Sequence, residues 1–570
     1  MNENNSIIDF VNDQNNVDFV VRSTEYFLDD IKDNTQVKLS TVLSGRYVIA
    51  NVSLSNVDLV TDRLGVAAFG ATPTVLGLLD AENLEAAGIT QVQQQPFLDL
   101  RGNGVLVGIV DTGIDYTLDD FKYEDGTSKI ISIFDQSIPG NPPQGFFMGS
   151  EYTNEQINQA LISDNPQDIV PQTDDSGHGT FLASVAAGRE GDDNIGAAPD
   201  SELIVVKLRK ANPYYIRKYL VPDDQEFVYE SSAVMIGVEY IIRKAKELNR
   251  PVAICIGVGT NQGGHDGNSM LEEYLTDISR SSGICICTAA GNESQARHHM
   301  QGMVESNDGQ KDIEIKVNGE PSNIYVTVKN TASDRLSVSL VSPVGEKIAR
   351  VPAKSGTVCS SNFVLEKASA VVEYYFPLDG SSGQATVVKI INATPGIWTI
   401  TVHGDIILDG AFHAYLPMTG LGSPEVEFIL PDPNYTVVVP STAIGTITCG
   451  AYNISNNGLY ANSSWGPTLL PKMSPVLVAP GVNVGGAFPT GYGTMSGTSV
   501  ATAITTGACA LILQWGIVEG NDLSLSTYQV RALLIRGCIR DEILTYPNLQ
   551  WGYGRLNLLN TFNMMRGLGL

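Results

Sequence analysis

The chain has 570 residues, 43% of them hydrophobic, and a formal net charge of −27. That is length for three or four domain-sized units, with ample apolar material for a buried core. So acidic a balance excludes a nucleic-acid role, because a phosphate backbone needs a basic footprint; it favours solubility. The N-terminal MNENNSIIDFVNDQNN has neither a basic stretch nor a continuous apolar core, so no secretory signal is expected. Val17–Ser23 and Arg46–Ser53 alternate as strands, with one helix expected over Tyr26–Asn34 and another over Ser55–Leu64. Val105–Asp115, VLVGIVDTGID, is an apolar strand ending in an acidic turn. Asp175–Gly188, DSGHGTFLASVAAG, sets a histidine between glycines ahead of a small-residue helix. Ile284–Glu293, ICICTAAGNE, has a buried-strand pattern that ends in Gly291-Asn292. From about Asp308 to Leu421 the segments IEIKVN, NIYVTVKN, LSVSLVSP, SAVVEYYF, ATVVKII, GIWTITVHG and GAFHAYLP alternate between turn residues. That is the pattern of a β-sandwich or jelly roll. Gly491–Gly507, GYGTMSGTSVATAITTG, places Ser499 at the mouth of a small-residue helix. The apolar run around Ile504–Leu513 is too short to span a membrane, and no membrane insertion is expected.

Taken singly these motifs are ambiguous. A Gly-Thr-Ser before an Ala-rich run is commonly a helix cap, and a Gly-Asn is commonly a turn. Together they supply Asp111, His178 and Ser499 in the chain order Asp…His…Ser, one of the known orders for a nucleophile, its base and the group that orients the base. The three segments resemble those of the subtilisin-like serine proteases (subtilases). Gly196–Lys207, Ser463–Pro467, Ala479–Gly481, Gln529–Ile535 and Trp551–Asn557 resemble further parts of that scaffold. The likeness spans roughly residues 82–298 and 424–566.

The resemblance implies an α/β fold: a parallel sheet with helices on both faces and the site at the carboxyl ends of its strands. Asp111, His178 and Ser499 become the catalytic residues and Asn292 the oxyanion-hole donor. The strand Ala253–Gly259, AICIGVG, becomes the edge that pairs with an extended protein or peptide substrate through Gly257, Val258 and Gly259. Residues 1–80 resemble a small α+β propeptide that inhibits by leaving its tail in the cleft. Thr72–Leu79 would be that tail, with cleavage near Leu78-Leu79-Asp80-Ala81; an uncut N-terminal cap is the alternative. The expected units are then 1–80, a catalytic part 81–305, the inserted sandwich 306–423, and a second catalytic part 424–570. The insert would either bind carbohydrate or protein, or rigidify the enzyme.

No cofactor and no required metal are expected. The loop Arg189–Ile195 is short, and Asp192-Asp193 offers too few oxygens for calcium. His403 and His413 have no third ligand at useful spacing and are read as ordinary strand residues; His298-His299 sit in a linker and are read as a solvated turn, with contact to the site as the alternative. The seven cysteines form no CxxC framework, Cys285-x-Cys287 has no nearby Cys or His to complete a ligand set, and the odd count favours a reducing compartment.

A short propeptide, no signal, and a sandwich between the asparagine and the serine resemble the Csp germination proteases of clostridial spores. That likeness implies limited proteolysis of a spore-cortex hydrolase zymogen, in a cytoplasmic or spore-associated setting. The nucleophile segment departs from the family's GTSMA-x-P by losing the proline. Two other readings stay open: a pseudoprotease that signals or scaffolds, and an intracellular turnover protease.

Overall fold

The computed structural model describes residues 3–23, 37–44, 46–78, 85–95, 98–189, 195–378, 383–470 and 472–566. A nine-stranded sheet forms the centre. Its parallel strands Ile447–Asn453, Ile284–Ala289, Val252–Ile256, Leu106–Asp111, Glu202–Lys207 and Ile130–Asp135 lie side by side in that order. Leu477–Pro480 adds in parallel against Ile447–Asn453, while short antiparallel strands close the two edges.

The strand sequences are apolar throughout because both faces are covered. In Leu106–Asp111, Val107 and Ile109 point to one core and Leu106 and Val110 to the other. The first core holds the helices His178–Ala187 and Thr498–Leu513; the second holds Ser231–Glu247 and Met270–Ile278. The doubly covered parallel sheet is the expected fold class. One refinement concerns the apolar run near Leu513. Thr498–Val518, at 21 residues, is long and apolar enough to cross a membrane, yet 89% of its most apolar window is buried inside the protein. It is a core helix.

The inserted segment forms a β-sandwich around its own core, which includes Trp398, Ile400 and Val326. One sheet has six strands in the order His299–Met303, Ala411–Tyr415, Ser322–Asn330, Gln384–Ala393, Ala368–Tyr375 and Val358–Phe363. The other has five, in the order Lys347–Val351, Arg335–Val341, Gly396–Ile406, Gln310–Val317 and Val426–Phe428. All seven segments expected to be strands are strands. The four without a sequence signal, His299–Met303, Val358–Phe363, Lys347–Val351 and Val426–Phe428, are the outermost strand at each end of each sheet.

At the N-terminus, Asn16–Arg22, Tyr47–Ser53 and Val37–Val42 make an antiparallel sheet with Tyr47–Ser53 in the middle. A helix covers Val57–Leu64, within the stretch expected. The helix expected over Tyr26–Asn34 lies outside the described residues. Beyond this unit the chain extends as a short strand, Val75–Leu78, into the catalytic domain.

Candidate active site

Asp111, His178 and Ser499 are brought together from three elements. Asp111 ends the central strand Leu106–Asp111, His178 opens the helix His178–Ala187, and Ser499 is the second residue of Thr498–Leu513. All three are buried. His178 Nδ1 lies 2.6 Å from Asp111 Oδ1, and His178 Nε2 lies 3.2 Å from Ser499 Oγ. A carboxylate only accepts, so Asp111 places the imidazole proton on Nδ1 and makes Nε2 the acceptor for the serine hydroxyl. The backbone N–H of Thr112 also donates to Asp111 Oδ1 at 2.8 Å, steadying the carboxylate.

The histidine helix is anchored by a residue that sequence reading passed over, Asp174. Its Oδ1 accepts from Gly177 N at 2.9 Å and Thr112 Oγ1 at 2.7 Å; its Oδ2 accepts from Thr180 N at 2.8 Å and Thr180 Oγ1 at 2.6 Å. A carboxylate at the first turn satisfies amide donors that have no partner within the helix, and so sets where His178 begins. A signal did exist: an acidic residue a few places ahead of a glycine-led helix.

Asn292 lies beside the serine. Its side-chain oxygen accepts from Thr498 N at 3.1 Å and Thr498 Oγ1 at 3.3 Å. With the oxygen engaged, the amide nitrogen is the group left to donate. The next residue, Glu293, is buried and accepts from Asn261 Nδ2 at 3.1 Å and Thr419 N at 3.1 Å, and pairs with His298 Nδ1 at 2.7 Å. Burial pushes the Glu293 carboxyl up, but the His298 and Thr419 hydrogen bonds outweigh it and hold it below its ordinary value. The expected solvated turn at His298-His299 is therefore corrected. His298 is partly buried on Glu293, and His299 is 1% exposed at the start of the sandwich's edge strand.

The segment Gly257, Val258 and Gly259 lies against the Asp111–His178 pair. A β-carbon on Gly257 would stand 2.9 Å from Asp111 Oδ2 and 3.1 Å from His178 Cε1, so this glycine runs directly under the Asp–His pair. Val258–Gly259 pairs antiparallel with the chain's own Val75–Leu78, in the register Val258↔Leu78 and Gly259↔Gly77. The other edge of Val75–Leu78 pairs with Tyr229–Glu230. A segment of the chain's own N-terminal part thus pairs with the strand Val258–Gly259. Of the expected cleavage stretch only Leu78 is described; Leu79 to Ala81 lie outside the described residues.

The cysteine expectation also changes. Cys509, from the nucleophile helix, joins Cys285 and Cys287 so that their ligand atoms lie within 4.8 Å of one another, with Cys287 and Cys509 sulfurs 3.7 Å apart. Sequence spacing hid the third member because it arrives from another element. Burial pushes the Cys287 and Cys509 thiols far up, which keeps them protonated in an apolar core. Asp192-Asp193 lie outside the described residues. His403 bonds Ser339 at 2.8 Å, and His413 meets His299 at 3.1 Å.

The model of the subtilase family matches residues 102–362 and 431–554. The chain belongs to the subtilase family. The structure of the CspB protease of Clostridium perfringens is similar over 85% of this subtilase and 98% of that chain, at 32% identity and a TM-score of 0.75. The PII-type proteinase of Lacticaseibacillus paracasei is 21% identical over 456 residues, and the serine protease AprX of Bacillus subtilis is 32% identical over 149. This subtilase spans 23% of the length of that proteinase and 31% of AprX.

Proposed function

We propose that this subtilase is a serine endopeptidase with Ser499 as nucleophile, restrained by its own N-terminal unit. The observation that carries this is the hydrogen-bonded line Asp111–His178–Ser499, running beside a strand-paired segment of the same chain. Ser499 Oγ attacks the scissile carbonyl while His178 Nε2 takes its proton and later passes it to the leaving amine. Asp111 holds the tautomer and offsets the imidazolium charge. The Asn292 amide donates to the oxyanion, a contribution of about 3–4 kcal/mol. Val75–Leu78 lies where an extended substrate would pair, which supports its role as a cleft inhibitor.

For physiological role we infer limited cleavage of a spore-cortex hydrolase zymogen during germination, in a cytoplasmic or spore-associated setting. Similarity to the CspB protease across nearly its whole length supports that reading. Intact mass and N-terminal sequencing of wild type and Ser499→Ala test the chemistry. The wild type should be cut near residue 80 and the mutant left whole. Cutting that persists in pure Ser499→Ala rejects this nucleophile. An uncut wild type that also resists an active-site serine reagent after removal of its N-terminal unit marks a pseudoprotease. Broad digestion of unfolded protein marks a turnover protease. Asn292→Ala should lower turnover on the order of a hundredfold or more, and an unchanged rate removes it from the oxyanion hole.

A further inference from the structure

The strand Val75–Leu78 is enclosed on four sides. Its two edges are hydrogen-bonded to Val258–Gly259 and Tyr229–Glu230. Because side chains alternate along a strand, Leu76 and Leu78 face one way and Val75 and Gly77 the other. Leu76 is fully buried in the catalytic core with Val110, Phe134 and Val258, and Leu78 packs against the same core. Val75 packs in a different cluster, which contains Met418 and Leu421.

These two side chains stand over Gly77. A β-carbon there would lie 3.2 Å from Met418 Cε and 3.6 Å from Leu421 Cγ and Cδ2. Gly77 is absent from the glycines with positive φ, so its backbone does not demand glycine. What it lacks is room. A methyl group would need only a small shift of the flexible methionine end, whereas a branched or longer side chain would have to displace Leu421 as well.

The wall is firmly held. Met418 and Leu421 are 1% and 0% exposed, and Leu421 N donates to Met418 O at 2.8 Å, closing a tight turn. Thr419 N, inside that turn, donates to Glu293, the neighbour of Asn292. Leu416 N donates to His298 O, and Leu416 O accepts from Asn261 Nδ2 at 3.3 Å. The segment returning from the sandwich is thus tied to the oxyanion loop. Its two apolar side chains close the cleft at the position paired with Gly259.

We propose that Met418 and Leu421 are specificity-determining residues, which restrict the substrate to glycine, or at most alanine, at the position that pairs with Gly259. The inference rests on the protease reading and names its substrate class: an extended apolar–Gly–apolar segment, as in Leu76-Gly77-Leu78. It also gives the inserted domain a part in substrate choice, through the exit segment that its fold holds over the cleft.

The test exchanges volume between the two sides of the contact. Self-cleavage of the full chain is followed by intact mass for wild type, Gly77→Ala, Gly77→Val, and Gly77→Val combined with Met418→Ala and Leu421→Ala. Gly77→Ala should stay within a fewfold of wild type. Gly77→Val should be slower on the order of tenfold to a hundredfold, and the wall truncations should recover most of that loss. Should Gly77→Val fail to fold, processed wild type and the Met418→Ala/Leu421→Ala enzyme are compared on synthetic peptides covering residues 72–85, with glycine or valine at position 77. The Gly/Val ratio of kcat/KM should be at least about tenfold for wild type and shrink in the truncated enzyme. Equal rates for glycine and valine, or a ratio unmoved by truncating the wall, overturn the inference while leaving the protease reading intact. A wild type that cuts neither itself nor the glycine peptide overturns both.

Discussion

The two appended units add different polar contacts to apolar junctions with the catalytic domain. The N-terminal unit docks with charge: Arg209 sits between Asp18 at 2.5 Å and Glu230 at 3.1 Å, and Arg22 pairs with Glu273 at 2.5 Å. The sandwich docks with neutral rings: His265 lies on Tyr415 with centroids 3.9 Å apart and planes 6° apart, and the sandwich's own His299 and His413 meet Tyr435 with centroids 6.0 Å and 4.5 Å away. Both junctions also bury apolar side chains, Tyr215 and Tyr219 beside the N-terminal sheet among them. The difference teaches how each junction can open. Separated ions are rewetted by water, whereas separated rings leave apolar surface exposed. The ionic share of the N-terminal junction can be rewetted on opening, whereas the aromatic junction holds a domain tied in by the chain at both ends.

The comparison is broken most strongly at its buried ions. Arg209→Ala leaves Asp18 and Glu230 without their cation, and should cost about 3–5 kcal/mol in denaturant unfolding of a Ser499→Ala chain, with the N-terminal unit opening first. If the sandwich opens first, the assignment of the two junctions is wrong. Tyr415→Ala removes the ring under His265 and should cost about 3 kcal/mol, with new protease sensitivity confined to the sandwich boundary. Sensitivity spread over both units would mean that they are not separately docked.

Acidity should then separate the junctions by sign. Burial pushes His265 and His299 down to about 4 and, with help from His299, His413 to about 3. The stability they contribute is complete above pH 6.5 and is lost as pH falls through these values. At the other junction, burial and then Asp18 push Glu230 up to about 8, so its contribution is present below pH 4.5 and is lost as pH rises through about 8. Burial also raises Asp18, but Arg209 and its hydrogen bonds outweigh that and hold it below 3.8, so its share is lost only in stronger acid. From pH 8 to 4.5, hydrogen exchange corrected for intrinsic rate should slow at Asn16–Arg22 and quicken at Ala411–Tyr415. Parallel changes in both strands would remove the distinction. The smallest effect belongs to Arg46, which is 64% exposed and 3.5 Å from Asp277. Arg46→Ala should change stability by less than about 1 kcal/mol and only at low salt.

Legibility in the sequence followed how local each feature is. The strand ending in Asp111, the glycine-flanked His178 and the Gly-Thr-Ser499 segment each join a residue type to a strand or helix terminus, and such signals lie within a dozen residues. The interior strands of the sandwich were legible because two covered sides keep their alternation strong. Its four outermost strands were not. Lys347–Val351 has one buried residue in five, since an edge strand is paired on one side and wetted on the other. Asp174 and Cys509 were missed because their partners come from other elements or from backbone amides, and Glu293 and His298, five residues apart, because the irregular turn that joins them carries no periodic signal.

By itself, then, the sequence determined the residue types of the site, their chain order and the elements that carry them, because those depend on periodicity and short-range turn chemistry. The tertiary structure alone decided three things. It closed the 2.6 Å and 3.2 Å contacts among Asp111, His178 and Ser499 across as many as 321 positions of chain. It threaded Val75–Leu78 between Tyr229–Glu230 and Val258–Gly259. It set Met418 and Leu421 over Gly77. Each is a contact between residues distant in the chain, and packing selects such contacts only once the sheet has fixed where every strand ends.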